Sequence, residues 1–167
     1  MNRRSTQRAS SVLYVIVLSP LILLSLALAL EAGALQLQKQ RLHSAADMAT
    51  VSAGGAGADV SNGANLDLVP ADAAIRRALI DNLTPLQADI AGATPLDVAA
   101  AATVYVVTAV PATDPLDNSA TLTRPTVEIR MRVPVRSGLL SIAGLPAVVY
   151  LKIDSRADLR VIGGTQP

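Results

Sequence analysis

The stretch SVLYVIVLSPLILLSLALAL, residues 11–30, contains no charged residue and decides how the rest of the chain is organised. In a helix rising 1.5 Å per residue, twenty residues extend roughly 30 Å, which matches the hydrocarbon core of a bilayer. Arg3, Arg4 and Arg8 precede this stretch, and no acidic residue does. Because short cytoplasmic segments are rich in Lys and Arg, this pattern predicts one membrane crossing with the N-terminus in the cytoplasm and residues 31–167 exported.

The helix is expected to continue beyond the membrane surface. Residues 31–53 contain no proline and many good helix formers, and the three glycines between positions 54 and 57 end the pattern. The small or apolar residues that recur at helical spacing on one face are Leu35, Leu42, Ala45 or Ala46, Ala49 and Ala53. The spacing predicts an amphipathic helix whose small side chains allow close packing.

The remainder of the chain is typical of a small α+β domain. A helix is expected over Ala71–Leu83, and Thr84–Gln87 has the Thr-x-x-Gln spacing of a capping box. Strands rich in β-branched residues are expected over Thr103–Val110, Thr126–Val133 and within Ala147–Ile162, where Leu159 and Val161 continue or re-pair the last strand.

The strand at 126–133 carries the clearest pattern, with apolar residues alternating strictly with Glu128, Arg130 and Arg132. Such alternation predicts one buried face and one face in water. Three antiparallel strands lying over helices define the predicted fold class, α+β, following a long N-terminal helix.

Four segments follow from these patterns. They are a cytoplasmic N-terminus over 1–10, a transmembrane helix over 11–30, an exported amphipathic extension over 31–57, and an extracytoplasmic α+β domain over 58–167.

Composition argues against several functional classes. The net charge of +1 gives no electrostatic footprint for nucleic acid, and the absence of cysteine excludes disulfides and thiol chemistry. The only histidine is His43, so a Ser-His-Asp triad would have to be built on a helical rod. His43 and Asp47 have i, i+4 spacing, but two ligands make at most half of a metal site. We therefore predict that the protein is not an enzyme and that it binds no metal, no cofactor and no small-molecule substrate.

Two segments resemble the TadE/TadG-like proteins of the tight-adherence (Flp-type) pilus assembly system. Arg8-Ala-Ser-Ser-Val, followed by the apolar run with Pro20, is similar to the N-terminus of that family. The segment QRLHSAADMAT, residues 40–50, is similar to the signature that follows the family's membrane helix. The specific likeness covers about residues 8–58, and beyond it only the architecture is alike.

The resemblance implies a pilin-like fold and a membrane-anchored minor pilin or pseudopilin-like subunit of a bacterial inner membrane. Such a subunit acts through packing with other pilus or secretion subunits, without catalysis. The signature positions expected to serve packing are Arg41, Leu42, Ala45, Ala46, Asp47 and Ala49.

The chain departs from the cleaved prepilins at one position. Those proteins carry a glutamate at the fifth residue after the cleavage site, and alignment on Pro20 places Tyr14 there and Ala9 before the cut. This favours the subtype that keeps its anchor. Two alternatives stay open: a secreted protein with a signal peptide cut near Ala34, after the Ala-x-Ala motif Ala32-Gly33-Ala34, and a membrane-tethered binding domain.

Three further charged residues are candidates for contacts with a partner. Glu31 stands where the apolar run ends, and it either meets a cationic partner or marks the water boundary. Arg130 and Arg132 lie on the predicted polar face of the sheet, where they either contact a neighbouring subunit or are balanced by charges within the same chain. Asp47 likewise pairs either with a basic residue of a neighbour or with His43 one turn earlier.

Overall fold

The structure, a computed structural model, describes residues 3–59, 65–66, 68–138, 144 and 147–158. Within these ranges, the structure describes the side chains of residues 14–53, 71–138, 144 and 147–158. The continuation of the last strand at Leu159 and Val161 lies outside the described residues.

Helix α1, Arg3–Gly57, contains the whole apolar run and its amphipathic continuation. Its 55 residues confirm the long N-terminal helix, which continues through all three of the glycines expected to end it. Pro20 lies inside α1, and the Ser25 hydroxyl donates to the Leu21 carbonyl at 2.8 Å. That bond satisfies a polar group in a stretch that otherwise offers it no partner.

The middle of the chain is helical, with a capping box at an unexpected place. Helix α2, Leu68–Leu83, is followed by a 3-10 helix, Thr84–Asp89, and by α3, Pro95–Ala101. The capping box expected at Thr84 is wrong, because its hydroxyl donates back to the Ile80 carbonyl at 2.6 Å. A true capping box starts α3, where Thr94 and Asp97 exchange side-chain and backbone hydrogen bonds.

The main sheet has three antiparallel strands, as the sequence predicted. Strand β6, Thr126–Arg136, is central, between β3, Thr103–Val107, and β7, Val148–Asp158. The register places Glu128 opposite Tyr105 on one side and opposite Arg156 on the other. Two short pairs complete the described strands: β1, Ala58–Asp59, with β2, Asn65–Leu66, and β4, Ala112–Thr113, with β5, Thr121–Leu122.

The chain forms two compact units. Unit 1 comprises Met1–Leu37 and Ser137–Ala147, and unit 2 comprises Gln38–Arg136 and Val148–Pro167. In unit 2 the core is made of aliphatic side chains from α1, α2, α3 and the alternating positions of β6. Its largest fully buried hydrophobic side chains are Leu42, Ile75, Leu79, Leu83, Ile129, Met131, Ile153, Val127, Val133 and Val135.

The prediction that every polar residue of the central strand faces water is wrong at Glu128, which has 0% exposure. The connection between β3 and β6 covers this part of the sheet. Its Leu116 carbonyl accepts a hydrogen bond from Arg130 at 3.1 Å, and its Asp114 accepts one from Arg156 at 3.1 Å. Alternation correctly predicted which residues share a face, but this connection covers the polar face around Glu128.

Candidate functional site

The first candidate surface is the apolar part of α1 in unit 1. From Tyr14 to Leu30 nearly every side chain is exposed, including the large ones, with Ile16 and Leu23 each at 64%. This helix is long and apolar enough to cross a membrane, judged by length and composition. Exposed hydrophobic area of this extent marks a surface that meets lipid or protein.

Glu31 ends this surface, and its carboxylate accepts a hydrogen bond from the Ser137 hydroxyl. Both residues belong to unit 1, so the segment that follows β6 is tied to α1 just where the apolar run ends. The side chain of Glu31 is half-buried. The structure thus gives Glu31 an intrachain contact that neither sequence hypothesis for this residue foresaw.

The second candidate surface is the signature segment of α1 in unit 2. Leu42, Ala45, Ala46 and Ala49 are buried at 5% exposure or less, so one face of the helix is packed within the unit. Alanine is needed there because a larger side chain would push the helix away from its neighbours. These four positions therefore stabilise the unit itself.

The polar signature residues make contacts within unit 2. Asp47 Oδ2 lies 3.0 Å from His43 Nδ1, and its Oδ1 accepts a hydrogen bond from the Ser155 hydroxyl at 2.6 Å. The Ser155 hydroxyl also lies 3.1 Å from Thr50 Oγ1, so Asp47 and Thr50 both join α1 to β7. Arg41 is exposed and lies 3.9 Å from Asp89, a contact that contributes little energy at a surface.

The two arginines of the sheet have different surroundings. Arg130 donates to Asp154 Oδ1 at 2.9 Å, and hydrogen bonding to that carboxylate raises the pKa of Arg130 further. Arg132 is exposed and directly opposite Lys152 in the register. Among the described residues, Arg130 is thus balanced by Asp154, whereas Arg132 has no ion pair.

A third candidate is an open cavity of about 350 Å³ in unit 2. Ser155 lies on the helix-covered face of β7, whereas Asp154 and Arg156 lie on the other face, so the cavity extends around the edge strand. Its lining residues are His43, Asp47, Asp114, Leu116, Glu128, Asp154, Ser155 and Arg156.

Glu128 is the unusual residue of this cavity, because neither of its carboxyl oxygens has a partner with hydrogen-bond geometry among the described residues, although the Asp114 carboxyl group and the Leu116 N–H lie close enough to influence its pKa. The neighbouring Leu116 N–H donates instead to Asp114 Oδ1 at 2.7 Å. Burial, and next the negative charge of Asp114, raise the pKa of Glu128 from 4.5 to about 7, although Arg156 acts in the opposite direction.

The other lining carboxylates have partners. Asp114 is buried, accepts the N–H groups of Leu116 and Asp117, and binds the Arg156 guanidinium. Asp154 contacts both Arg130 and Lys152 at 2.9 Å, and hydrogen bonds from these cations contribute to a pKa below its usual range, although burial acts against them. Among the described residues, no group of three or more His, Asp or Glu side chains is placed to hold a metal ion.

The sequence predicted His43 and Asp47 as a pair but missed Asp114, Glu128 and Ser155. Asp114 carried a usable signal, since an aspartate before Pro115 is typical of a turn in which its carboxylate accepts the next backbone amides. Glu128 and Ser155 carried none, because their roles depend on residues 14 to 108 positions away.

Comparison of the chain with family models, with characterised proteins and with solved structures found no match. The geometry described above is therefore the basis for a functional proposal.

Proposed function

We propose that this chain is a membrane-anchored minor pilin or pseudopilin-like subunit of a Tad (Flp-type) pilus or of a related secretion machine. Its N-terminus lies in the cytoplasm, a single helix crosses the inner membrane, and the α+β unit is exported. It works by packing against other subunits of the assembly, with no catalysis. The similarity of residues 8–58 to the TadE/TadG-like proteins supplies the family in this proposal.

One observation carries the proposal: α1 is exposed and apolar from Tyr14 to Leu30 but buried along one face from Leu42 to Ala53. Water does not stabilise a helix with large aliphatic side chains on all sides, whereas a bilayer or neighbouring apolar helices do. The arginines at positions 3, 4 and 8 support a cytoplasmic N-terminus.

The outer part of α1 also keeps a surface for a partner. Met48 and Val51, three residues apart and therefore on one side of the helix, are exposed at 60% and 66%. They lie in the segment whose other face, at Ala45 and Ala49, is buried in unit 2. A neighbouring subunit that packs on Met48 and Val51 would thus leave the fold of unit 2 unchanged.

The anchor is tested by membrane fractionation and intact mass of the protein expressed in its own host. We expect the full-length chain in the membrane fraction after carbonate extraction. A soluble product that begins at Leu35 would contradict the anchor and favour the secreted alternative. A membrane product that begins at Ser10 would contradict the permanent anchor and show processing despite Tyr14.

The role in assembly is tested by deleting the gene and measuring pili sheared from the cells. We expect loss of pili, restored by the wild-type chain but not by Met48→Arg/Val51→Arg. Because both positions are exposed, the double variant should keep its membrane fraction and its fold, measured by circular dichroism. A normal yield of pili from the deletion strain would refute the proposed role.

A further inference from the structure

We propose that the cavity containing Glu128, named here the Glu128 cavity, binds a single alkylammonium group. The source of this group is a lysine side chain of another polypeptide or a free diamine. The volume of about 350 Å³ is at the lower end for ligand sites, so it fits one small head group with part of its alkyl chain.

The first argument is that the Glu128 carboxyl group, which lines the cavity, has no hydrogen-bond partner. Burying a carboxyl group without a hydrogen bond destabilises the folded state, because the group loses its hydrogen bonds to water and gains none in return. Glu128 is such a group: its exposure is 0%, neither oxygen has a partner among the described residues, and it lines the cavity. A donor that reaches these oxygens from the cavity, after a small shift of the side chains that cover them, would satisfy the group.

The second argument is the charge of the lining. Asp47 is paired with His43, Asp114 with Arg156, and Asp154 with Arg130 and Lys152, as the contacts above show. Of the four lining carboxyl groups, Glu128 alone has no ion-pair partner among the described residues, since Asp114 and Asp154 contact cationic side chains and Asp47 contacts the His43 imidazole. A bound group with one positive charge would give Glu128 an ion-pair partner as well.

The third argument concerns the type of cation. A divalent metal needs several ligands at short range, and no suitable group of three His, Asp or Glu side chains occurs among the described residues. The Arg156 guanidinium already lies at the cavity, opposite Glu128 in the register, and it binds Asp114 at 3.1 Å and reaches Asp158 at 3.6 Å. A compact ammonium with three donors therefore fits the remaining space better than a second planar guanidinium.

Titratable groups face Glu128 from several elements. Tyr105 lies opposite it on β3, Arg156 opposite it on β7, and Asp114 approaches from the covering connection. His43 and Asp47 on α1, with Asp154 on β7, complete the titratable lining. A bound ammonium must favour the ionised form of Glu128 against this background, which makes binding measurable as a change in its titration.

The sequence makes that measurement simple, because Glu31 and Glu128 are the only glutamates. The full chain, labelled with carboxyl-¹³C glutamate and held in detergent micelles, gives two side-chain carboxyl signals, and Glu128→Gln assigns them. The pH midpoint of Glu128 is measured without ligand and then with Nα-acetyl-lysine amide. Nα-acetyl-norleucine amide, which has the alkyl chain without the ammonium, is the matched control.

We expect the lysine compound to lower the Glu128 midpoint, by one pH unit if it binds the ionised form tenfold more tightly. The pH midpoint of Glu31 should not change with the lysine compound, and the midpoint of Glu128 should not change with the norleucine compound. No shift of the Glu128 midpoint at saturating lysine compound, or an equal shift with the norleucine compound, would overturn the proposal. The outcome is read from the titrations of the wild-type protein, so the test does not require Glu128→Gln to fold.

Two further titrations identify the source. A larger shift with the lysine compound than with 1,4-diaminobutane assigns the site to a polypeptide lysine, and the reverse order assigns it to a free diamine. A shift produced by CaCl₂ but by neither amine would overturn the ammonium class. None of these measurements depends on pilus yield, so their failure is distinct from failure of the proposed function.

Discussion

Two parts of one helix differ in what surrounds them, although both are made of good helix formers. Between Tyr14 and Leu30, α1 exposes large aliphatic side chains on every side. Between Leu42 and Ala53, it buries a stripe of small residues and keeps polar residues elsewhere. Helix formation is therefore a local property of the sequence, whereas the medium in which a helix is stable depends on how its polar and apolar side chains are distributed.

The largest test of this comparison is the double substitution Leu23→Arg/Leu24→Arg. Each arginine near the middle of a membrane helix costs about 3 kcal/mol of insertion free energy, or about 6 kcal/mol together. We expect the protein to leave the membrane fraction, as measured by carbonate extraction and immunoblotting. The control is Met48→Arg/Val51→Arg, which adds the same charges to exposed positions of unit 2 and should stay in the membrane. Retention of Leu23→Arg/Leu24→Arg in the membrane fraction would contradict a membrane-spanning role for the apolar part of α1.

A smaller effect is expected from truncating one buried and one exposed leucine of α1. Leu42 has 1% exposure and Leu37 has 49%, and they are five residues apart on α1. Leu42→Ala should lower the free energy of unfolding of unit 2 by about 2–5 kcal/mol, because it leaves a cavity. Leu37→Ala should change that free energy by less than about 0.5 kcal/mol. Urea denaturation followed by circular dichroism measures both, and equal losses would contradict the assignment of these faces.

The smallest expected effect concerns the carboxyl group beneath the polar face of the sheet. The pKa of Glu128 rises from 4.5 to about 7 on folding, so the folded state holds a proton that the unfolded state releases between these values. The contribution of Glu128 to the free energy of unfolding should therefore be highest below pH 4.5, fall between pH 4.5 and 7, and stay level above. After allowance for solvent screening, the fall is about 2 kcal/mol.

The matched variant for this pH dependence is Glu128→Gln, which has the same shape and no proton to lose. Its stability should lack the fall between pH 4.5 and 7 and should exceed that of the wild type at pH 8. The membrane fraction should be unchanged at either pH, because the charge lies in unit 2. A wild-type unfolding curve that does not weaken over this pH range would show that Glu128 is ionised in the folded state.

The sequence predicted the fold class for local reasons. An uncharged run of twenty residues, small residues at helical spacing and a strictly alternating strand each follow from the period of one element. That is why the long helix, α2 and the three antiparallel strands agree with expectation. The sequence predicted a capping box only at Thr84, whereas the structure has it at Thr94, and helix α3 was not predicted.

The sequence alone thus determined which residues of each element share a face, because helix and strand periods are properties of the backbone. Only the tertiary structure decided what covers each face. Glu128 and Arg132 have the same place in the strand pattern, yet Glu128 is fully buried and Arg132 is exposed. The difference comes from the connection carrying Asp114 and Leu116, which covers the sheet over Glu128. Its position depends on long-range hydrogen bonds from Arg130 and Arg156, which no local pattern records.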